Sequence, residues 1–599
     1  YYKLTLAGGE EDSVMDMAKT LFAGGAMHGD IALVEAALSA KCFYKLVNIG
    51  VPFPHNRYGE YVGYKTDHDP RQRATSCGPL TSKFMTEKLE AQVQAKGIEI
   101  LDGYLVIGIL TEENEKSVGL VALDKSKLDN PNRGLTLFNC TNIIYATGGP
   151  AGIYLTSVYP ESQIGSSGIA YEAGAKGINL TESQYGIASI DFRWNLSGTY
   201  QQVIPRYVST DKEGKDEREF LEDYFNDPGQ MMDAIFLKGY QWPFDPRKVD
   251  DYGSSLIDIL VYNETQIKGR RVFLDFTKNP SWGSKDGELD FSLLGEESYK
   301  YLENSHALFG TPIERLSKMN QPAIDLYKTN GIDITKELLE IDVCAQHNNG
   351  GLMGNIWYES NLRHFFPVGE VNGTFGIYRP GGSALNSTQV GSFRAAQYIA
   401  ANYSGAPRDI EDFLRLVSDQ VEEKIEMVKL LSSKVGGSSN IKKTREDMQR
   451  RMTRAGAHIR SVRECADAIE ECRRDLETFN ENIELASIDE LPDVFRNRDI
   501  LLTQYVYLNA IKSYIEEGGR SRGSYLVYDD KGQLPIDSLP NEFKFLLDDG
   551  ELTEKTQEIG FSKDDLRCNI EWKPVRPIPT EDNWFENVWN QYMQGDIIK

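Results

Sequence analysis

The sequence predicts an α/β protein in which a ligand-binding domain carries an inserted α+β module and is followed by a C-terminal helical domain. Two segments, 141–149 and 365–370, each consist of a short apolar run that ends at glycine. This pattern is typical of a buried strand whose end brings the backbone close to a ligand. Between them, about 185–340 is rich in aromatic residues and interrupted by Pro and Gly. After residue 409 the apolar spacing changes to that of amphipathic helices with charged outer faces.

Size, charge and cysteine usage narrow the class of protein. A chain of 599 residues is too long for one hydrophobic core, so several domains are expected. The formal net charge of -25 disfavours binding to nucleic acid, and no apolar run approaches the roughly 18 residues of a membrane span. The seven Cys and seven His form no zinc or iron–sulfur spacing, so we expect no bound metal. We expect a cytoplasmic protein, because an odd and scattered set of cysteines is typical of reduced, buried thiols. The start of the chain shows no signal-peptide pattern.

Local patterns predict the individual elements in chain order. The segments with helical spacing are 11–46, 80–96, 168–176, 390–402, 409–433, 442–455, 461–483 and 499–517. The β-rich runs are 98–101, 104–110, 118–123 and 272–276, in addition to the two strands that end at glycine. Gly177 is expected to cap the helix 168–176. The Pro-rich stretch 569–579 is expected to be extended and to precede a short helix near 584–589.

Four segments, taken in order, resemble the flavoprotein subunit of the succinate dehydrogenase and fumarate reductase family, which also includes L-aspartate oxidase. The first is Ala146-Thr147-Gly148-Gly149, and the second, 346–351, is similar to the family's "H-x-M-G-G" loop. The third, 369–385, resembles its "GE … HGANRLGGNSL" segment, and 519–523 resembles the "ESRG" that ends its helical domain. The resemblance covers nearly the whole chain.

This resemblance implies a Rossmann-like FAD-binding domain, an inserted α+β capping domain and a C-terminal helical domain. The implied boundaries are 1–184 with 341–405 for FAD binding, 185–340 for the cap, 406–528 for the helical domain and 529–599 for an extended tail. The implied FAD-binding residues are Ala146, Thr147, Gly148, Gly149, Gly369, Glu370, Ser383, Ala384 and Leu385. Glu370 would hold a ribose or ribityl hydroxyl, unless it is an ordinary capping or surface residue. The helix that begins at Ser383 would meet the flavin O2/N1 edge, where negative charge develops on reduction.

The resemblance also implies catalytic roles for Arg379, His347 and Tyr262. Arg379 would bind a substrate carboxylate through two parallel charge-assisted hydrogen bonds. The alternative is that it forms a structural salt bridge. His347 would be a second substrate ligand or a charge stabiliser, the alternative being a structural histidine. Tyr262 stands where the family has its proton-donating Arg, so it could act as a weak acid with a pKa of about 10. The alternative for Tyr262, an aromatic residue of the cap core, is the one we favour.

The chain departs from the family pattern at four places. No G-x-G-x-x-G motif lies near its start, so the first strand of the FAD domain is missing and we expect a longer protein or another chain to supply it. The family's "QFHPT" corresponds to 183–188, which lacks the His. Its "TEGCRGEGG" is replaced by 203–207, and its proton-donor Arg by Tyr262. These departures argue against fumarate and succinate as substrates.

We therefore expect an FAD-dependent oxidoreductase that transfers a hydride between flavin and a small organic substrate other than fumarate or succinate. The alternative is a non-catalytic or electron-transfer flavoprotein subunit of a larger redox complex, which would add an electron-transfer partner subunit. A third interpretation is a fragment that cannot hold FAD. The first interpretation is favoured by the retained His347 and Arg379, and the second by the lost Arg and His.

Overall fold

The computed structural model describes residues 1–7, 11–580 and 582–598, and its N-terminal part consists of helices followed by an antiparallel meander. The helices are α1 (Val14–Phe22), α2 (Gly29–Asn48) and α3 (Thr81–Ala95). The strands are β1 (Tyr104–Glu112), β2 (Lys116–Asp124) and β3 (Leu135–Asn139), which form one sheet in that order. The predicted helical segment 11–46 is thus two helices, because Gly25 adopts a φ of 81° between them.

The predicted strand 98–101 is wrong. These residues follow α3 as irregular chain, and the first strand begins only at Tyr104. Ile98, Ile100 and Leu101 are all exposed, so no neighbouring strand or core covers the apolar run. A short run of β-formers becomes a strand only where a partner edge is available, which local sequence does not report.

The two strands predicted to end at glycine are neighbours. These are β4 (Ile143–Tyr145) and β14 (Phe365–Pro367), and they pair in parallel with Tyr145 opposite Pro367. Their carboxyl ends therefore meet at the same edge. Residues 146–149 leave one strand and 369–370 leave the other at this edge, as expected for strands that present backbone to a ligand.

The inserted region contains a five-stranded sheet in the order β7-β6-β12-β9-β8. Its strands are β6 (Ser183–Ser189), β7 (Trp194–Asn195), β8 (Arg206–Thr210), β9 (Arg271–Asp275) and β12 (Leu339–Asn348). Around it lie α5 (Thr199–Gln202), α6 (Pro228–Leu237), α7 (Leu256–Tyr262), β10 (Ser284–Lys285), β11 (Glu288–Leu289), α8 (Glu296–Asn304) and α9 (Pro312–Thr329). The predicted strand 272–276 is confirmed with a shift of one residue. The strands β6 and β12 pair along their length, with Ile341 opposite Ser189 at one end and Asn348 opposite Ser183 at the other. They therefore connect this region to the edge described above.

Helices dominate the chain after the second glycine-ended strand. They are α10 (Ser383–Asn402), α11 (Ile410–Ser432), α12 (Ile441–Gly456), α13 (Val462–Glu477), α14 (Phe479–Asn482) and α15 (Leu491–Glu516). The helices predicted after residue 409 are confirmed, with three corrections. The helix α15 is not amphipathic with a charged outer face, because α12 and α13 pack against it and its residues are buried on every side. The segment 461–483 is interrupted at Thr478. The helix predicted at 499–517 is α15, and it begins earlier, at Leu491. Pro492 lies in its first turn, where a missing N–H costs nothing.

The final part of the chain joins a sheet with earlier strands. The remaining elements are α4 (Ser167–Glu172), β5 (Gly177–Ile178), β13 (Gly351–Leu352), β15 (Ile459–Arg460), β16 (Leu526–Gln533), β17 (Lys555–Ser562), β18 (Arg567–Pro574) and α16 (Phe585–Gln594). Strands β13, β5, β17 and β18 form one sheet in that order. Gly177 therefore begins a strand and does not cap a helix. The α4 helix ends earlier, near Gly174, whose φ is 94°.

Two surface properties of the described residues bear on partners. None of their helices has the length and apolar content needed to cross a membrane. The α16 helix leaves a row of large apolar side chains in solvent, including Phe585 (69% exposed) and Trp589 (53% exposed). Isolated apolar residues on a surface are ordinary, but a contiguous row on one helix is typical of an interaction surface.

Candidate active site

Glu370 lies at the centre of the edge where β4 and β14 end. Its Oε1 accepts a hydrogen bond of 2.8 Å from the backbone N–H of Asn348, the last residue of β12, and another from the hydroxyl of Tyr159. A Cβ on Gly149 would lie 2.5 Å from the same oxygen, so only glycine allows this approach. Burial raises the pKa of Glu370, and its hydrogen bonds oppose that rise. Three of the four family-like segments thus meet at one carboxylate.

Asn349 joins His347 to Arg379. Its Nδ2 donates to the backbone oxygen of Ile377 at 3.1 Å, which turns Oδ1 toward the other two side chains. Oδ1 accepts from the Nε of Arg379 at 3.2 Å and lies 3.0 Å from the Nδ1 of His347. Because Oδ1 can only accept, Nδ1 of His347 carries the proton and Nε2 presents a lone pair.

His347 is a neutral hydrogen-bond acceptor. Its Nε2 is buried and has no hydrogen-bond partner among the residues that the structure describes. Burial first, and the nearby Arg379 second, lower the pKa of His347 well below its usual value. The imidazole is therefore uncharged at neutral pH, which favours the role of ligand or base over that of a charge stabiliser.

Arg379 is a cation without a carboxylate partner in the described part of the chain. No Asp or Glu oxygen there lies within 4.0 Å of its guanidinium, and its side chain stands 5.9 Å from the centroid of the Phe375 ring. Burial lowers the pKa of Arg379 to about 10, so it remains protonated at neutral pH. The structural salt bridge considered as an alternative is not seen among the described residues. The Glu370 carboxylate stabilises the Arg379 charge without forming an ion pair with it, so the guanidinium can still bind an anion.

The first turn of α10 completes the site. Its N-cap is Gly382 with a φ of 84°, and Ser383 is 1% exposed with a hydroxyl that has no partner among the described residues. The first N–H groups of an α-helix have no intrahelical acceptor, and the helix dipole favours negative charge there. Ala384 follows in this turn, while the Leu385 side chain packs against the cluster that contains Phe43 and Val51.

The structure places Tyr262 elsewhere. Its ring lies 4.9 Å from His458 and 6.2 Å from Phe543, both outside the cap, at a cavity of about 400 Å³ next to α12. Burial raises the pKa of Tyr262 to about 12, which makes it a poor proton donor. None of its contacts among the described residues involves His347 or Arg379, so the structure favours a packing role for it.

A buried ion pair supports the site from behind, and the residue patterns alone did not single it out. Glu182 accepts from Arg522 at 2.8 Å, with side-chain exposures of 1% and 3%. The backbone oxygen of Glu182 accepts from the N–H groups of Asn349 and Gly350, at 3.0 and 2.9 Å. The pair therefore fixes the loop that orients His347 and Arg379. The only signal in the sequence was the resemblance of 519–523 to "ESRG", which carried no role.

The inserted region contacts the site through Tyr378. The Arg247 guanidinium carbon lies 3.7 Å from the centroid of the Tyr378 ring, and the His68 ring lies 5.2 Å from it. Arg247 is already paired with Asp245 at 2.7 Å, so its charge is largely neutralised. The Tyr378 hydroxyl accepts from the backbone N–H of Gly523 at 3.0 Å. The inserted region, the N-terminal part of the chain and the segment 519–523 thus meet at Tyr378, the residue before Arg379.

Replacing Gly149 by alanine is expected to lower the free energy of unfolding by about 1–3 kcal/mol, because the new Cβ overlaps Glu370 and the Asn348 amide, at 2.5 and 2.8 Å. The measurement is urea denaturation of the variant beside wild type. Gly405→Ala is the matched control, since a Cβ there meets nothing within 4 Å. Equal stability of the two variants would contradict the tight packing around Glu370.

Comparisons with known proteins find relatives in sequence and in fold. No protein-family model matches the chain. One subunit of the fumarate reductase (CoM/CoB) from Methanothermobacter marburgensis is 25% identical over 400 residues, covering 66% of this chain and 62% of that protein. The chain therefore spans less than two thirds of that relative. An uncharacterised FAD-dependent oxidoreductase of Methanocaldococcus jannaschii is 26% identical over 490 residues, covering 80% and 77%.

The fold is shared with a solved structure. A variant of FrdA from E. coli quinol fumarate reductase superposes with a TM-score of 0.68 at 17% identity, covering 97% of this chain and 90% of that one. The predicted fold class is therefore confirmed. In the described residues, no group of three or more His, Cys, Asp or Glu side chains is arranged to hold a metal ion.

Proposed function

We propose that this chain, which resembles the flavoprotein subunits of the succinate dehydrogenase and fumarate reductase family in sequence and fold, is an FAD-dependent oxidoreductase. It transfers a hydride between flavin and a small organic substrate. The proposal rests on one observation, which is that the family-like segments lie together at one strand edge. The residues that meet there are Gly149, Glu370, His347, Arg379 and those of the first turn of α10.

The residues present fit the flavin end of FAD. Glu370 is a carboxylate that can accept a hydrogen bond from a ribityl hydroxyl. The Ser383 hydroxyl lacks a partner among the described residues, and the N–H groups of Ala384 and Leu385 belong to a first helical turn. These donors suit the pyrimidine edge of a flavin, where reduction places negative charge. When bound, the flavin supplies hydride transfer at its N5.

Arg379 and His347 are proposed to hold the substrate. The Arg379 charge has no carboxylate partner in the described chain, so it can bind one carboxylate through charge-assisted hydrogen bonds. The unpartnered Nε2 of neutral His347 can accept a hydrogen bond or a proton from a group beside that carboxylate. Asn349 keeps the two side chains in a fixed relation.

The substrate is proposed to carry one carboxylate and to differ from fumarate and succinate. A second buried carboxylate would need further unpaired donors, since an unpaired buried charge costs several kcal/mol. Arg247, the cap cation that stacks on Tyr378, is already paired with Asp245. Tyr262, which stands at the family's Arg position, is not in contact with His347 or Arg379 in the described residues.

A second candidate function is an electron-transfer flavoprotein subunit of a larger complex. It is favoured by the position of Tyr262, because no proton donor takes the place of the family's Arg among the described contacts of His347 and Arg379. The exposed apolar row on α16 would then contribute to contact with the partner subunit.

Absorption spectra and dye-coupled assays separate these functions. The full-length protein is expected to bind FAD and absorb near about 450 nm. It should turn over a monocarboxylate substrate much faster than fumarate or succinate when tested with artificial electron carriers. A protein without flavin would refute the FAD proposal. Fumarate or succinate turnover at the level of the best monocarboxylate would refute the substrate proposal, and flavin without any turnover would favour the second function.

A further inference from the structure

We propose that Glu35 takes up a proton from solvent when the bound flavin is reduced. The loss of its negative charge would offset the negative charge that the flavin gains. This inference rests on the proposed function, because it needs flavin at the first turn of α10. The carboxylate becomes a carboxylic acid, and Glu35 makes no bond to flavin. The two electrons come from the substrate or from an electrode.

Glu35 is a buried carboxyl without a cation. It lies on α2 and is 1% exposed. Its Oε1 accepts from the Ser387 hydroxyl at 2.7 Å and from the Tyr358 hydroxyl at 3.1 Å, and the Thr374 hydroxyl also faces the carboxyl. In the described residues, no Lys, Arg or His nitrogen lies within 4.0 Å of it. A polar cluster with one acid and only hydroxyl donors is unusual, since buried acids are normally paired.

The cluster lies one helical turn behind the proposed flavin contact. Ser387 follows Ser383 by four residues, so both lie on the same face of α10 with an axial rise of about 6 Å between them. Asn386, in the same turn, donates to the backbone oxygen of Glu35 at 3.1 Å. Glu35 is thus fixed to the helix whose N-terminus is proposed to meet the flavin.

The charge state of Glu35 is close to balance at neutral pH. Burial raises the pKa of Glu35 to about 7, and the hydroxyls of Ser387, Tyr358 and Thr374 oppose the rise. The other titratable groups that face it are the phenols of Tyr358 and Tyr1, and burial holds both pKa values well above 10. Cys42, on the same helix, has its pKa raised to about 11. All three are neutral. A nearby cation that the described residues supply is Arg394 on α10, which interacts with Tyr358 and lies more than 4.0 Å from the Glu35 carboxyl.

Reduction of the flavin should therefore favour the protonated form of Glu35. The added negative charge at the first turn of α10 disfavours ionised Glu35, because like charges in a poorly solvated region repel strongly. Above pH 7 the carboxylate is mostly ionised beside oxidised flavin, and reduction protonates it. Well below pH 7 it is already protonated, so reduction leaves it unchanged.

The test is the number of protons taken up per flavin, read from the pH dependence of the midpoint potential of the holoenzyme by spectroelectrochemistry. At pH 8 Glu35 is expected to be mostly ionised beside oxidised flavin, so wild type should take up more protons per flavin than Glu35→Gln. The difference should vanish near pH 5.5. Equal proton counts at pH 8, with flavin bound in both proteins, would overturn the inference.

Asp499→Asn is the matched control. Asp499 is also buried, and burial raises its pKa to about 7. It accepts from the N–H of Ile169 in α4, and none of its hydrogen bonds among the described residues is to α10. This variant should keep the wild-type proton count. If Asp499→Asn lowers the number of protons taken up per flavin as much as Glu35→Gln does, the extra proton cannot be assigned to Glu35, and the inference is overturned.

Infrared difference spectra of wild type keep the inference testable if Glu35→Gln does not fold. The reduced-minus-oxidised spectrum at pH 8 should gain the C=O band of a protonated carboxylic acid, and Asp499→Asn should retain it. Absence of the band in flavin-loaded wild type would overturn the inference while leaving the proposed function intact. A protein that holds no flavin would instead refute the proposed function, and this inference with it.

Discussion

Replacing Arg379 by alanine is expected to lower kcat/KM by about 10²–10³-fold, while flavin stays bound. The Arg379 charge has no carboxylate partner in the described chain, and its one side-chain hydrogen bond is to Asn349. Its loss therefore removes the proposed substrate anchor. It also removes a positive charge that lowers the pKa of the buried Glu370, so flavin content must be measured beside activity. Arg379→Lys should be intermediate, because lysine keeps the charge but loses the planar fork and the contact with Asn349. The measurements are steady-state kinetics on the monocarboxylate substrate and flavin content per chain.

Arg394→Ala is the control for this prediction. Arg394 is also a cation without a carboxylate within 4.0 Å in the described residues, and burial lowers its pKa to about 10 as well. It lies later on α10, where its guanidinium carbon stands 3.4 Å from the Trp357 ring centroid. It should leave kcat/KM within about twofold of wild type. Loss of flavin together with activity in Arg379→Ala would show that Arg379 is structural.

Replacing Arg522 by leucine is expected to lower the free energy of unfolding by about 3–5 kcal/mol. The change leaves the Glu182 carboxylate buried, and among the described residues its remaining hydrogen bonds come from Tyr525 and Thr181. Because the Glu182 backbone holds Asn349 and Gly350, flavin content should fall too. The measurements are urea denaturation and flavin content per chain.

Arg520→Ala, two residues away, gives the matched comparison. Arg520 pairs with Asp549 at 2.9 Å, with side-chain exposures of 39% and 42%, and exposed pairs contribute about 0–1 kcal/mol. Adding Glu182→Gln to Arg522→Leu should recover part of the loss, because the uncompensated charge is then gone. If Arg522→Leu costs no more than Arg520→Ala, the buried pair does not support the site.

Local sequence patterns were sufficient to predict the fold class and the helices after residue 409, but in the inserted region they predicted only the strand β9. Apolar runs that end at glycine predicted both β4 and β14, and the 3.6-residue spacing predicted the helices after residue 409. These signals are local, since a strand end or an amphipathic face is encoded in neighbouring residues. Where an element depends on a partner, as at 98–101, the local signal failed.

The sequence also supplied candidate site residues, through their resemblance to family motifs. Their assignment to FAD and substrate remains a prediction, which the Arg379 and spectroscopic experiments test. The structure brings His347, Glu370 and Arg379 to one edge, but leaves Tyr262 against His458. A motif position shows which residue replaces another, and it does not show where the new side chain packs.

How the site is held and charged depends on contacts between distant parts of the chain. Arg522 meets Glu182 across 340 residues of chain, and Glu35 on α2 meets Ser387 across 352. In the sequence, Glu35 is one acidic residue within the predicted helical segment 11–46, and acidic residues are mostly exposed. Its burial, the neutral His347 and the unpaired Arg379 follow from which helices and strands pack together. Desolvation and hydrogen bonding depend on every neighbour in space, so charge states cannot be read from neighbours in sequence.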